Sequence, residues 1–363
     1  MNLNDFCINA DMWDTLAASD KKTVMYGMGN GADKILSVCE KYGIEVCDFF
    51  ASDGFVRGHS FHGKRVLSYS ETKEKYGAQN VNVLLSFASS LPDVMANFKR
   101  INTECTLYAP DVPVCGDTLF TLDFARRHKD ELLQVYELLA DEHSRHVFKN
   151  VIYYKLTGRI DHLFDAESDR DEVFSELLEA AKIKTYADLG AYNGDTVREL
   201  IKYAPSLERV TAFEPDRRSF RKLSEYCETV TSPDIEKINA AAWSGDAVLT
   251  FGDEGNRNSG LFAKGRSVEI SATSLDKALN GRAVDYVKYD VEGCEREALA
   301  GSEKTISAHY PRLLVSAYHL SEDIFDLPLL IHEKFPDYKL YYRRYPYIPA
   351  WDLNLICIKG DKK

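Results

Sequence analysis

The sequence predicts an α/β protein made of two Rossmann-like units joined by a helical bridge. Three observations carry that expectation. A strand, a glycine-rich turn and a helix follow one another from Thr23, and the same succession recurs from Tyr186. Between them, apolar residues recur at helical rather than strand spacing. The expected domains are residues 1–112, 113–182 and 183–363.

The N-terminal unit reads TVMYGMGNG, ADKILSVCEKYG and IEVCDFF, with a further strand at Asn80–Phe87. Strands alternating with helices at this spacing imply a parallel sheet with crossover helices. Gly27, Gly29 and Ala32 fit a GxGxxA pattern after a strand, with Asp48 or Asp53 as the ribose acid, a pattern suited to a nicotinamide or other nucleotide. No hydride-transfer set is read beside this turn. The unit is therefore expected to support the fold, present substrate or form a homodimer. A nucleotide-sugar oxidoreductase and a non-catalytic scaffold in glycan assembly are the alternative functions.

Pro110 and Pro113 punctuate an extended stretch that marks the first boundary. The bridge, Leu119–Ala180, reads as helical throughout. From Asp130, Leu132, Leu133, Tyr136 and Leu139 fall on one face.

The second unit carries the chemistry. An apolar strand runs into Asp188-Leu-Gly190-Ala-Tyr-Asn193-Gly194, and a helix follows. Glycines permit a tight turn and a close ligand approach, and the helix start offers free N–H groups. The GxxxG spacing differs from the dinucleotide fingerprint. An acid at Asp188 suits a ligand bearing an ammonium rather than a pyrophosphate. The next strand ends at Glu214, 24 positions after Gly190, where α/β sites hold ribose hydroxyls. Further on, YVKYDVEGCEREALAG brings Asp290 and Glu292 to a strand end, and PRLLVSAYHL brings Tyr318 and His319 to the same edge. Asp290 is open to two readings, a helix cap or a site residue.

Taken in order, DLGAYNGDT, FEPD, NAAAWS, TSLD (Thr273–Asp276), YDVEGCEREALAG and SAYH resemble the FkbM family of S-adenosylmethionine-dependent methyltransferases. The resemblance runs from Tyr186 to the C-terminus, about half of the chain. It implies a class I methyltransferase fold: a seven-stranded, mostly parallel sheet ending in an antiparallel hairpin, which YKLYYRRYPYIPAWDLNLICIK fits. It implies S-adenosylmethionine as cofactor. Asp188, Gly190, Asn193 and Gly194 would hold the amino acid half, Glu214 the ribose, and Asn239 and Trp243 would lie by the adenine. Tyr192 and Asn193 depart from the residues common in the family at those positions.

The reaction so implied is O-methylation of a sugar, glycan or polyketide-like hydroxyl. A hydroxyl nucleophile gives up its proton near the transition state, and His319 is the expected base, oriented by Asp290 or Glu292. The rival reading makes Asp290 and Glu292 ligands of a divalent cation; the assignment carried forward has no metal. A polar loop from Gly252 is a candidate cover for the acceptor. Arg343 and Arg344 are either an anion contact or a solvated edge.

Composition narrows the partners. Asp and Glu outnumber Lys and Arg by 57 to 45, a net charge of −12 that disfavours nucleic acid. The most apolar stretches are far shorter than the ~20 residues of a membrane span, and the N-terminus lacks signal-peptide features. Eight cysteines without a CxxC pair point to free thiols, so a cytoplasmic location is expected.

Overall fold

The computed structural model describes residues 8–56, 58–253 and 266–360. Most of the loop expected to cover the acceptor, residues 254–265, lies outside them.

The N-terminal unit comprises β1 (Lys22–Tyr26), α1 (Asn30–Lys41), β2 (Val46–Ala51), β3 (Leu67–Ser68), α2 (Tyr69–Tyr76), β4 (Val81–Leu85), α3 (Pro92–Glu104) and β5 (Thr106–Tyr108). Its five-stranded sheet has the order β3-β2-β1-β4-β5, all parallel. In α1 the buried side chains are Ala32, Ile35, Val38 and Cys39, one face of a helix laid on the sheet. Ser68 and Glu71 form a capping box that starts α2 directly after β3.

The bridge contains α4 (Lys129–Leu138), α5 (Glu142–Thr157) and α6 (Asp161–Asp165) among its helices. The helical stretch from Asp130 breaks in two at Leu139. There Leu139 bridges to Leu340, Ala140 N donates to Leu340 O, and Asp141 caps α5 by accepting from Ser144 N. Helical periodicity continues through the break, so the sequence reads it as one run. A tertiary strand contact interrupts it.

The C-terminal unit contains β6 (Thr185–Leu189), α7 (Asp195–Tyr203), β7 (Arg209–Phe213), α8 (Arg217–Cys227) and β8 (Asp234–Ile238). It continues with β9 (Tyr286–Tyr289), α9 (Glu295–Ala300), β10 (Arg312–Ser316), α10 (Asp323–Lys334), β11 (Tyr338–Arg344) and β12 (Leu353–Lys359). Its sheet has seven strands in the order β8-β7-β6-β9-β10-β12-β11. The first five are parallel, and β12 enters antiparallel between β10 and β11. The strand order reverses between β6 and β9, the place where open α/β sheets form a ligand crevice.

One apolar core runs through all three regions. Phe98 of α3, Val151 of α5 and Leu355 of β12 belong to the same buried cluster. Arg343 and Arg344 serve that joint, which corrects both readings offered for them. Arg343 donates to Asp141 Oδ2 at 2.6 Å and to Ser144 Oγ at 2.8 Å, and so ties β11 to α5. Arg344, fully buried, donates to Leu163 O of α6 at 2.6 Å and to Tyr347 O of the β11–β12 loop. Among the described residues, no helix is long and apolar enough to cross a membrane. The described cysteines are all free thiols.

Candidate active site

The glycine turn after β6 is built for close approach. Gly190 has φ +96°, and a Cβ there would stand 1.9 Å from Asp290 O, so the backbones at the two strand ends leave no room for a side chain. Gly194, with φ +83°, opens α7, and a Cβ would strike the Tyr226 ring at 2.4 Å. This turn borders a cavity of about 560 Å³.

Glu214 lies just past β7, 6% exposed, on the cavity wall. Its carboxylate accepts from Tyr192 N at 2.8 Å and from Asp216 N at 2.7 Å, which fixes its orientation. Burial pushes the carboxyl up to about 8 although those two N–H donors pull the other way. Asn239 does not reach the wall. It donates its side-chain amide to Glu214 O at 2.8 Å and steadies the segment that presents the acid. Trp243 is on the wall.

Asp188 is fully buried behind the wall. One carboxylate oxygen accepts from Thr196 Oγ1; the other, Oδ1, has no hydrogen-bond partner and faces Lys288 Nζ at 3.7 Å. Burial raises its pKa. Lys288 also pairs with Asp290 Oδ2 at 3.1 Å, so one ammonium joins the ends of β6 and β9. The sequence reading missed Lys288. A lone lysine inside the apolar strand YVKY was the available signal.

Asp290, Val291, Glu292 and Gly293 turn sharply at the end of β9, with φ +54° at Glu292 and +86° at Gly293. A left-handed glutamate costs about 1–3 kcal/mol and persists only where its surroundings hold it. Here Val291 N donates to Glu295 Oε1 at 3.0 Å, and Cys115 Sγ contacts Glu292 O at 3.2 Å. Asp290 and Glu292 are both on the cavity wall. Burial opposes the charge on Asp290, but Lys288 and His319 outweigh it and hold the carboxyl at about 2. Burial lifts Glu292 to about 7.

His319 has no exposed surface and is not on the wall. Its Nδ1 lies 2.9 Å from Glu295 Oε1. Its Nε2 faces Asp290 Oδ1 at 3.5 Å and Glu292 Oε2 at 3.6 Å. Burial works against the imidazolium, yet Glu295, Glu292 and Asp290 together lift the ring to about 10. Tyr318 OH adds a contact to Asp290 Oδ1 at 3.3 Å. Glu295 was not singled out in the sequence, because an acid at a helix start is ordinary. Glu295, His319 and Asp323 are close enough to share an ion, but Glu295 Oε1 already engages His319 and Val291 N.

The site residues thus fall into two sets. Gly190, Glu214, Trp243, Asp290 and Glu292 meet on one cavity wall; Asp188, Gly194 and His319 are buried away from it, and the half-buried Asn193 and the exposed Asn239 lie off it. The N-terminal glycine turn is arranged differently. A Cβ at Gly27 would meet the Phe87 ring at 2.6 Å, and one at Gly31 would meet Ser86 O at 2.4 Å. Asp48 pairs with Lys75 at 2.7 Å and accepts from Tyr76, while Asp53 accepts from Ser70 N at 2.9 Å.

Residues 188–348 match the family described as the Methyltransferase FkbM domain. No curated protein sequence matches the chain. Among solved structures, a methyltransferase FkbM from Methylobacillus flagellatus KT is similar over 93% of this chain and 90% of its own, with a TM-score of 0.70 and 20% identity. An rRNA methylase from Streptococcus thermophilus covers 53% of this chain over 98% of its own, with a TM-score of 0.37 and 14% identity.

Proposed function

We propose that this chain, whose residues 188–348 form an FkbM methyltransferase domain, transfers a methyl group from S-adenosylmethionine to a hydroxyl of a small molecule or glycan. The observation that carries the reading is the wall shared by Gly190, Glu214, Asp290 and Glu292 at the reversal of strand order. The seven-stranded, mostly parallel sheet with its closing antiparallel strands supports the class I form of the fold.

The residues fit this donor. Gly190 lets the ends of β6 and β9 close up beside the cavity, where no Cβ would fit, so that the turn presents its backbone to a ligand. On a wall bearing Glu214, Asp290 and Glu292, carboxyl oxygens stand ready to accept hydrogen bonds from a ligand's hydroxyl and ammonium groups. Glu214 would take the ribose hydroxyls, the glycine turn the amino acid end, and Trp243 the base. Asp188 acts one step removed, by holding Thr196 and Lys288. When bound, S-adenosylmethionine supplies an electrophilic methyl on sulfur.

Glu292 would accept the proton that the acceptor hydroxyl gives up as its oxygen takes the methyl and the methyl–sulfur bond breaks, leaving a neutral thioether. This assignment replaces His319 as the base. A buried imidazole lifted to about 10 already holds its proton at neutral pH and cannot receive another. His319 instead positions Asp290 and Glu292 as a fixed cation between them. No observation favours the oxidoreductase, since Asp48 and Asp53 are already engaged and Phe87 covers Gly27.

The decisive experiment is thermal denaturation with and without S-adenosylmethionine. Donor at ~100 times its Kd should add about 2.7 kcal/mol to wild type. Glu214→Ala should weaken donor affinity by about 10–100-fold, the worth of two hydrogen bonds to the ribose. No shift in wild type would sink the proposal.

A further inference from the structure

A second cavity, of about 390 Å³, lies at the carboxyl edge of β1 and β4, and two of its wall residues, Val114 and Trp351, also line the donor cavity. We propose that this crevice is a subsite for an apolar, non-reacting part of the methyl acceptor, so that the acceptor extends across both units with its hydroxyl at Glu292. The inference rests on the methyltransferase reading above.

The crevice stands where a Rossmann-like sheet ordinarily receives a nucleotide, but its lining is wrong for one. Phe87 packs over Gly27, and neither Asp48 nor Asp53 is on the wall. The wall is formed largely by Met28, Leu85, Ala88, Pro110, Val112 and Pro349, and of its polar residues Lys34 is engaged by Val114 O and Ser86 by Tyr26 O, leaving Asn30. Such a surface gains by burying apolar area and offers few partners to phosphates. Met28 leaves 36% of its surface in water at this wall, an apolar face without a cover.

Continuity with the reacting centre is built into the chain. The segment that supplies Pro110, Val112 and Val114 ends at Cys115, whose N–H donates to His319 O at 3.0 Å and whose Sγ contacts Glu292 O at 3.2 Å. Lys34 Nζ donates to Val114 O at 3.2 Å and holds that segment against α1. Opposite, Ser89 and Ile348 exchange backbone hydrogen bonds at 2.9 and 3.0 Å, which fixes the β11–β12 loop that carries Pro349 and Trp351. The crevice and the cavity that Glu292 lines therefore meet at Val114 and Trp351. A ligand reaching from one to the other needs an apolar stretch followed by a hydroxyl.

Saturation-transfer NMR with octyl β-D-glucoside, kept below its micelle-forming concentration, against methyl β-D-glucoside tests this. The longer chain should bind about tenfold or more tightly to wild type, given the methylenes it buries. Ala88→Trp, which fills the crevice, and Met28→Glu, which places a charge at its exposed edge, should each bring the two glucosides within about threefold of one another. Both variants should keep the donor-induced rise in melting temperature. Equal affinity of the two glucosides for wild type, or a preference for octyl that survives both substitutions, overturns the subsite. If the donor shift is present and the glucosides bind alike, only the subsite fails. If wild type shows no donor shift, the methyltransferase reading fails, and the acceptor role of the crevice fails with it.

Discussion

The proposed chemistry rests on a single residue, Glu292. It has a left-handed backbone, a place on the cavity wall and a carboxyl lifted by burial to about 7. A proton acceptor works best with a pKa near the operating pH, and Glu292 meets that condition where His319 does not. Glu292→Gln should lower methyl transfer by about 10²–10⁴-fold while the donor-induced melting shift persists. The same substitution has a stability signature. A carboxyl raised from 4.5 to about 7 on folding binds its proton more tightly in the folded state. Its contribution is fully present below about pH 4.5 and is lost as pH rises through about 7. Chemical denaturation across that window should show a flatter pH slope for Glu292→Gln than for wild type. An unchanged slope would mean that Glu292 is not desolvated in the folded protein.

The elements supply what no single residue does, because the site exists where β6 and β9 end side by side. Gly190 makes that proximity possible, and Lys288 bridges Asp188 and Asp290 across it. Gly190→Ala would force a Cβ onto Asp290 O in a backbone conformation that alanine resists. It should cost about 2–4 kcal/mol, read as a lower denaturant midpoint, and abolish the donor shift. Much of this element scale was legible in the sequence. Strands placed by alternation and motif spacing fall where expected, for instance Tyr286–Tyr289 ahead of Asp290. The break at Leu139 was not legible, because helical periodicity carries no record of a contact with Leu340, some 200 residues away.

Across the whole molecule, the three regions share one apolar core and are tied by buried cations. Arg344 joins β11 to the bridge through Leu163 O and to the β11–β12 loop through Tyr347 O. Arg344→Met would remove the guanidinium that links Leu163 O and Tyr347 O, and should lower stability by about 2–4 kcal/mol. The loss should appear in a single transition followed by both near- and far-ultraviolet circular dichroism, since the core runs through every region. Two separate transitions would contradict that shared core. The sequence by itself determined the α/β class, the two glycine turns, the acids at strand ends and the family their order resembles. These are local signals, fixed by spacing along the chain. Only the tertiary structure decided which acids face the cavity, that His319 is buried beside Asp290, Glu292 and Glu295, and that Val114 and Trp351 line both cavities. Burial and facing depend on residues distant in sequence, such as Cys115 against Glu292, and no local pattern encodes them.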